Sequence, residues 1–450
     1  MSKNVYFHID ELARDAITAS ALRKAFQERG MNLVYGNRVF TQKVLEHFAF
    51  AFDIIILPRT MFLRTFKNLN KNLPAIVIVF TESVGRVVQE NNERFTLSSL
   101  LDKAFMQGDT RFVEKTTSFC LWGEIGKSRI IKHYPEFADK LHVVGHPRFD
   151  KRCFRARINN NNNTKAKIGL ITKQGMLNDF LKRSPVDQIV NWYSSLEEQS
   201  YTYNNKSTGD FLLRQNNEPV DQVYIEAADL KIMLALIFKL NEKGHEVYLK
   251  VHPREDREFW EDFVKKNNLN VTLAHWLTPF SHWVKDLDYV IGPASTSFYD
   301  CCAAGVQPIC TRKIDKNRDF HIKNFAEENN DLMKHIVSPE TIDEIIEIVS
   351  KKNYNFELND ELKNILLNET NYPNSKNSID KIVDVSISSI KKNKISPFMK
   401  NLYMIGFILY GNYIVNLKIK ISRFINKVDE QGSTFLMNKK NRKYIDSLVD

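Results

Sequence analysis

The sharpest chemical feature of this 450-residue sequence is Lys250-Val251-His252-Pro253-Arg254-Glu255. The run His245–Val251 reads as a strand, and Pro253, which has no N–H to give to a ladder, ends it. The His252 imidazole is then left at the carboxyl edge of a sheet, able to donate a hydrogen bond to a phosphate. The competing reading is a histidine that merely caps a strand end. A second feature follows, in which Asp288–Ile291 reads as a strand and Gly292-Pro293-Ala294-Ser295-Thr296-Ser297 as a turn of small residues and hydroxyls. Phe298–Ala304 then reads as a helix closed by Gly305. Free N–H groups and the dipole at a helix start favour an anion, and hydroxyls add donors. A plain Ser/Thr N-cap accounts for one hydroxyl but not for three. Thr172 and Lys173 follow the strand Lys167–Thr172 and are candidates to line the same pocket; Lys173 reads equally as a solvated loop lysine. Neither GxxxxGK[ST] nor GxGxxG occurs, which argues against ATPase and dinucleotide sites.

Acid–base chemistry has two candidates. Glu82 follows the strand Ala75–Phe80, which places it at a carboxyl edge. Asp15 lies near the start of the first helix, where the dipole alone also favours an acid. Arg148 and Asp150 close the first half of the chain; Arg148 could grip a phosphate bidentately, or the two could pair to fix a hinge. His146-Pro147 reads as part of that turn. Asp286-Leu287-Asp288 spells DxD but leads into a strand, the wrong end for a ligand, and reads as a surface turn. The histidines lack metal-ligand spacing and the five cysteines form no CxxC, so neither a metal nor another cofactor is expected.

These residues need a scaffold, and the alternation of short apolar runs with helical patterns supplies one. Val5–Ile9, Asn32–Tyr35, Asp53–Leu57, Ala75–Phe80, Ser118–Trp122 and Leu141–Val144 read as parallel strands joined by helices. Five asparagines, Asn159–Asn163, break the pattern before it restarts. The expected organisation is an N-terminal Rossmann-like domain over 1–155, a second over 165–385, and a tail over 391–450. Ligands in such sheets sit at the carboxyl ends of the strands.

The charge is concentrated in that tail. The chain has 64 Lys+Arg against 54 Asp+Glu, yet Lys391–Lys443 holds twelve of the bases and two of the acids, leaving 52 of each elsewhere. A neutral body argues against nucleic acid as a partner. The apolar stretch Asn401–Leu417, flanked by lysines, fits an interfacial element on an anionic membrane, so residues 391–443 are expected to hold the protein on the inner face of the cytoplasmic membrane. The alternative is a pair of helices packed on the body. No signal-peptide pattern opens the sequence, and no uncharged apolar run reaches the ~18–20 residues of a spanning helix.

The His252-Pro253 pair followed by Ser295-Thr296-Ser297 resembles the HP and S(S/T) motifs of bacterial sialyltransferases and Kdo transferases. The resemblance implies a GT-B fold, two Rossmann-like domains facing across a cleft, with the pair holding the CMP part of a donor. Residues 5–335 also resemble bacterial surface carbohydrate biosynthesis proteins, through Glu11–Ala16, Thr81–Gly85, Leu121–Glu124 and above all Tyr134–Asp150. Where that family shows an acidic Asp-Glu-Glu-Gly-like turn, this chain reads Thr81-Glu82-Ser83-Val84-Gly85, keeping one acid of the pattern. The resemblance implies a glycosyltransferase of capsule or lipopolysaccharide assembly. Its donor would be a nucleotide sugar, foremost a CMP-activated ulosonic acid such as Kdo, and its acceptor a glycan or lipid-linked chain. Donor contacts then fall to Thr172, Lys173, His252, Pro253, Arg254, Gly292, Ser295, Thr296 and Ser297, and catalysis to Glu82 and Asp15. Similar motifs occur in CDP-glycerol polyol-phosphate transferases, which stay an alternative, as does a non-catalytic scaffold of a glycan assembly complex.

Overall fold

The computed structural model describes residues 3–9, 11–36, 38–58, 74–80, 110–157, 166–190, 218–318, 331–351, 356–390, 396–410 and 439–449. The chain divides into two units: Met1–Arg155 together with Asn359–Asp450, and Ala156–Leu358.

The first unit is built on six parallel strands, β1 (Lys3–His8), β2 (Met31–Gly36), β3 (Ile54–Leu57), β4 (Ala75–Val79), β5 (Ser118–Leu121) and β6 (Leu141–Val143), in the order β2-β1-β3-β4-β5-β6. Strands β3 and β4 are buried at every position, which is why they read as unbroken runs, IIIL and AIVIV, rather than alternating. The helices α1 (Leu12–Glu28), α2 (Arg38–Lys43), α3 (Thr110–Lys115) and α4 (Glu124–His133) make crossovers between these strands.

The second unit has five parallel strands, β7 (Lys167–Ile171), β8 (Glu246–Lys250), β9 (Val271–Leu273), β10 (Tyr289–Gly292) and β11 (Gln307–Cys310), ordered β11-β10-β7-β8-β9. Its helices are α5 (Glu218–Glu242), α6 (Arg257–Lys266), α7 (Phe280–Val284), α8 (Ser297–Ala304), α9 (Asp331–His335) and α10 (Ile342–Ser350). Leu170, Leu236, Leu249, Trp260 and Ile291 centre its core. Asp288, expected in a surface turn, is instead buried at the amino edge of β10. It accepts a hydrogen bond from the Lys167 N–H (2.7 Å) and pairs with Arg157. The DxD acid therefore staples two strand starts together.

The C-terminal boundary differs from the expected one. The second unit ends at Leu358, not 385, and α11 (Asp360–Thr370), α12 (Ser378–Ser388), α13 (Pro397–Leu409) and α14 (Lys439–Val449) belong to the first. Burial is the reason. Ile379, Ile382 and Val383 of α12 are fully covered as that helix packs on α1, β4 and β5, and the Ser389 hydroxyl bonds that of Ser118 (2.8 Å). On α14, Asp446 pairs with Arg23 of α1 at 2.7 Å. The segment expected as a membrane-associating tail is thus in part packed on the first unit, as in the alternative of helices packed on the body. Phe407 of α13 enters the core beside Tyr6, Phe40, Phe48 and Phe52, with ring centroids 5.4–6.4 Å away. Lys400, counted among the tail's basic residues, is paired with Asp53. Lys391, Lys392, Lys394, Lys418, Lys420, Arg423 and Lys427 lie outside the described residues. No helix among the described residues is long and apolar enough to cross a membrane.

Truncating a buried aromatic ring to alanine costs about 3–5 kcal/mol. Phe407→Ala should therefore lower the unfolding free energy of the first unit by about 3 kcal/mol, read as an earlier denaturant midpoint.

Candidate functional site

In the second unit the chain runs outward from β7 through β8 to β9, then returns to place β10 and β11 on the other side of β7. The reversal between β7 and β10 is the switch point of the sheet. Loops leaving the carboxyl ends of these two strands part there, and an open α/β sheet binds its ligands in that crevice. Gly292, the last residue of β10, makes the arrangement possible. A Cβ at this position would stand 2.3 Å from Ile171 Cγ1 and 2.8 Å from the Ile171 carbonyl oxygen of β7.

Three loops meet at this edge. Lys173, just past β7, donates from Nζ to the Ala294 carbonyl past β10 (3.3 Å), spanning the switch point. Thr172 Oγ1 accepts from the backbone N–H of His252 (2.9 Å), which ties the loop after β8 to the loop after β7. The strand ends at Lys250, one residue before the sequence suggests, and this side-chain bond replaces the ladder there. His252 Nδ1 accepts from the Arg254 N–H (3.3 Å). With Nδ1 accepting, the neutral ring carries its proton on Nε2, so it presents a donor. Past β10, Ser295 Oγ accepts from the Ser297 N–H (3.2 Å), while Thr296 makes no side-chain cap to α8. The hydroxyls of this turn are half-buried. The structure thus brings together Thr172, Lys173, His252, Pro253, Gly292 and the turn that carries Ser295, Thr296 and Ser297; Arg254 is exposed on the loop just beyond.

Two acids that sequence reasoning did not single out hold these loops. Glu255 is fully buried and accepts from the Gln174 N–H (2.8 Å) and from Trp260 Nε1 (3.0 Å). Burial pushes its carboxyl up to about 7, against the hydrogen bonds that favour the charged form. Glu226 of α5 accepts from the N–H groups of Met176 (2.7 Å) and Leu177 (3.1 Å). Burial raises its pKa too, and the nearby Lys173 charge pulls the other way. Between them lies Gln174, wholly buried, whose side-chain amide has no hydrogen-bond partner among the described residues. For Glu226 a signal was present: an acid in the same helical phase as Met233, Leu236 and Leu240 of α5. For Glu255 there was none beyond its place after the His-Pro pair.

The first unit treats its expected residues differently. Asp15, expected as a catalytic acid, is buried at the start of α1, where it accepts from the Glu11 N–H (3.1 Å) and from Arg14 Nε (2.9 Å). Those are the bonds an acid makes at a helix start. Arg148 and Asp150 do not pair with each other in any described contact. Arg148 approaches His146 through Nε (3.2 Å), and the His146 ring stacks on Trp122 with centroids 3.8 Å apart. Burial, then the Arg148 and Arg14 charges, hold His146 well below its usual range. Asp150 accepts from the N–H groups of Arg152 (2.9 Å) and Ile379 (2.8 Å), fixing the 147–152 turn to the start of α12. It clamps two segments of the first unit together. Glu82 lies outside the described residues.

No family model matches the sequence, and neither does any curated protein. Solved structures do match. The wall teichoic acid polymerase TagF soaked with CDPG aligns at TM-score 0.50 and 10% identity, over 86% of this chain and 89% of that one. A UDP-N-acetylglucosamine 2-epimerase aligns at 0.44 and 10% identity, over 88% and 99%. HepE of Anabaena, in complex with UDP and glucose, aligns at 0.41 and 8%, over 84% and 99%. Of these three the first carries the comparison, and at 10% identity what it shows is a shared fold. The chain has the GT-B fold class, α/β with two Rossmann-like units.

The buried Glu255 makes stability pH-dependent. Below about pH 4.5 its carboxyl is neutral in the folded and the unfolded chain alike. Between about 4.5 and 7 the folded chain keeps a proton that the unfolded chain releases, so stability declines as pH rises; above 7 the loss is complete. The decline should be on the order of 3 kcal/mol. Thermal unfolding of Glu255→Gln, followed from pH 4 to 8, should lack this component and leave the variant at least as stable as the wild type at pH 8.

Proposed function

We propose that the chain is a glycosyltransferase of surface-glycan assembly that takes its sugar from a nucleotide-linked donor, held by the second unit at the β7/β10 switch point. The observation that carries this reading is the convergence there of Lys173, His252 and the Ser295–Ser297 turn. The likeness in fold to TagF, soaked with CDPG in its structure, supports a nucleotide-linked donor. A CMP-activated ulosonic acid follows from the resemblance of the His-Pro and Ser/Thr pair to the motifs of Kdo and sialyltransferases.

In the reaction the acceptor hydroxyl oxygen attacks the anomeric carbon, and the bond from that carbon to the phosphate oxygen breaks with its electron pair staying on CMP. The phosphate therefore gains charge in the transition state. A His252 Nε2–H, the Lys173 ammonium and the Thr296 hydroxyl can meet that charge beside the positive end of α8, whose first N–H groups are taken up within the turn, and preorganised donors of this kind lower the barrier most. Glu82 is the candidate base for the acceptor's proton. The scheme asks for no metal or other cofactor, and the acceptor is a glycan or lipid-linked chain.

The TagF likeness favours a second reading, transfer of a polyol phosphate from a CDP-polyol. The same site would hold either donor, so a donor screen separates them. CMP released from a CMP-ulosonate, with CDP-glycerol left intact, is the expected outcome; turnover of CDP-glycerol alone decides for the second. His252→Ala should reduce kcat about a hundredfold with unchanged thermal unfolding. Glycan production left intact in cells by both His252→Ala and Glu82→Gln would turn the assignment to a scaffold.

A further inference from the structure

Helix α13 is apolar on both faces. Its inward side carries Tyr403 and Phe407, packed on the aromatic cluster of the first unit. Its outward side should be polar in a helix that merely covers a core. Instead Phe398, Leu402, Ile405 and Leu409, at spacings of four, three and four, are 74%, 53%, 54% and 63% exposed, with Met399 and Ile408 beside them. Such a contiguous apolar stripe marks an interaction surface.

The sequence around the helix says what covers it. From Val385 to Val428 there is no Asp or Glu, while eight Lys and Arg bracket or sit on the helix. Like charges at that density disfavour a second copy of the same face and favour an anionic surface. The thirteen described residues Pro397–Leu409 are too few to span a bilayer, and a helix with an exposed apolar face between basic flanks lies in the interface plane. The helix has its own start signals: Pro397 opens it, and Ser396 Oγ accepts from the Met399 N–H (3.3 Å).

We propose that α13 is the membrane-docking element of the protein, with Phe398, Leu402, Ile405 and Leu409 inserted among the acyl chains of an anionic bilayer while Phe407 anchors the helix to the first unit. The docked face is therefore a preformed part of the folded body. This inference is independent of the donor assignment.

Co-sedimentation of the full chain with vesicles tests it. The wild type should pellet with phosphatidylcholine vesicles containing about one-third phosphatidylglycerol, be released by raised salt, and stay in solution with pure phosphatidylcholine. Leu402→Glu/Ile405→Glu replaces two exposed side chains and should weaken partitioning on the order of a hundredfold, with the melting temperature unchanged. Four results would overturn the proposal: no binding of the wild type to the anionic vesicles; equal binding by the double variant; a lowered melting temperature of that variant without lipid, which makes the stripe an internal packing face; or a wild-type dimer that the variant dissociates, which makes it a subunit contact.

Discussion

Strand β10 can lie against β7 only because Gly292 has no side chain where Ile171 already stands. That contact sets the width of the sheet at its switch point, and everything proposed for the second unit hangs from it. With the two strands this close, the Lys173 ammonium reaches the Ala294 carbonyl and the turn of hydroxyls opens α8 beside it. Gly169 plays the matching part within β7 itself, where a Cβ would stand 2.5 Å from Leu287 and 2.7 Å from Trp283. Two absent side chains let a sheet and its helix close up, and the loops inherit their positions from that closure.

Loops without regular pairing need other partners for their N–H groups. Here buried acids supply them. Glu255 and Glu226 receive the backbone donors of residues 174, 176 and 177, and Thr172 receives that of residue 252. The Asp229–Arg318 pair, both buried and joined at 2.6 Å, does similar work between α5 and the segment after β11. A buried carboxylate is costly unless its hydrogen-bonding capacity is filled, so these acids hold one loop geometry rather than a range of them. That is what a site needs if it is to meet a developing charge without rearranging.

Much of this was legible in the sequence, because parallel strands announce themselves. Asp53–Leu57 and Ala75–Phe80 could be little else, and β3 and β4 lie within a residue of those bounds. The His-Pro strand end and the Gly-to-Ser turn were placed at a carboxyl edge by chain order alone, since a strand, a turn and a helix start in that sequence admit one location. What could not be read was long-range. Asp150 looked like a hinge residue beside Arg148, yet its partner is the N–H of Ile379 in α12. Helices α11 and α12 looked like the end of the second unit because nothing local says which core an apolar helix face will choose. Glu255 was overlooked for the same reason, its partners being at residues 174 and 260.

The return of the C-terminal helices has a consequence for the order in which the molecule can be made. The second unit is one continuous segment inserted into the first, so all of its internal contacts are available once residue 358 has been synthesised. The first unit begins at Met1 yet needs α12 against α1 and β5, and then Asp446 against Arg23, before its core is closed. During synthesis its first six strands must therefore wait, with the apolar faces of α1 and β5 uncovered, until the last part of the chain arrives. The inserted unit is complete while the unit that surrounds it in sequence is not.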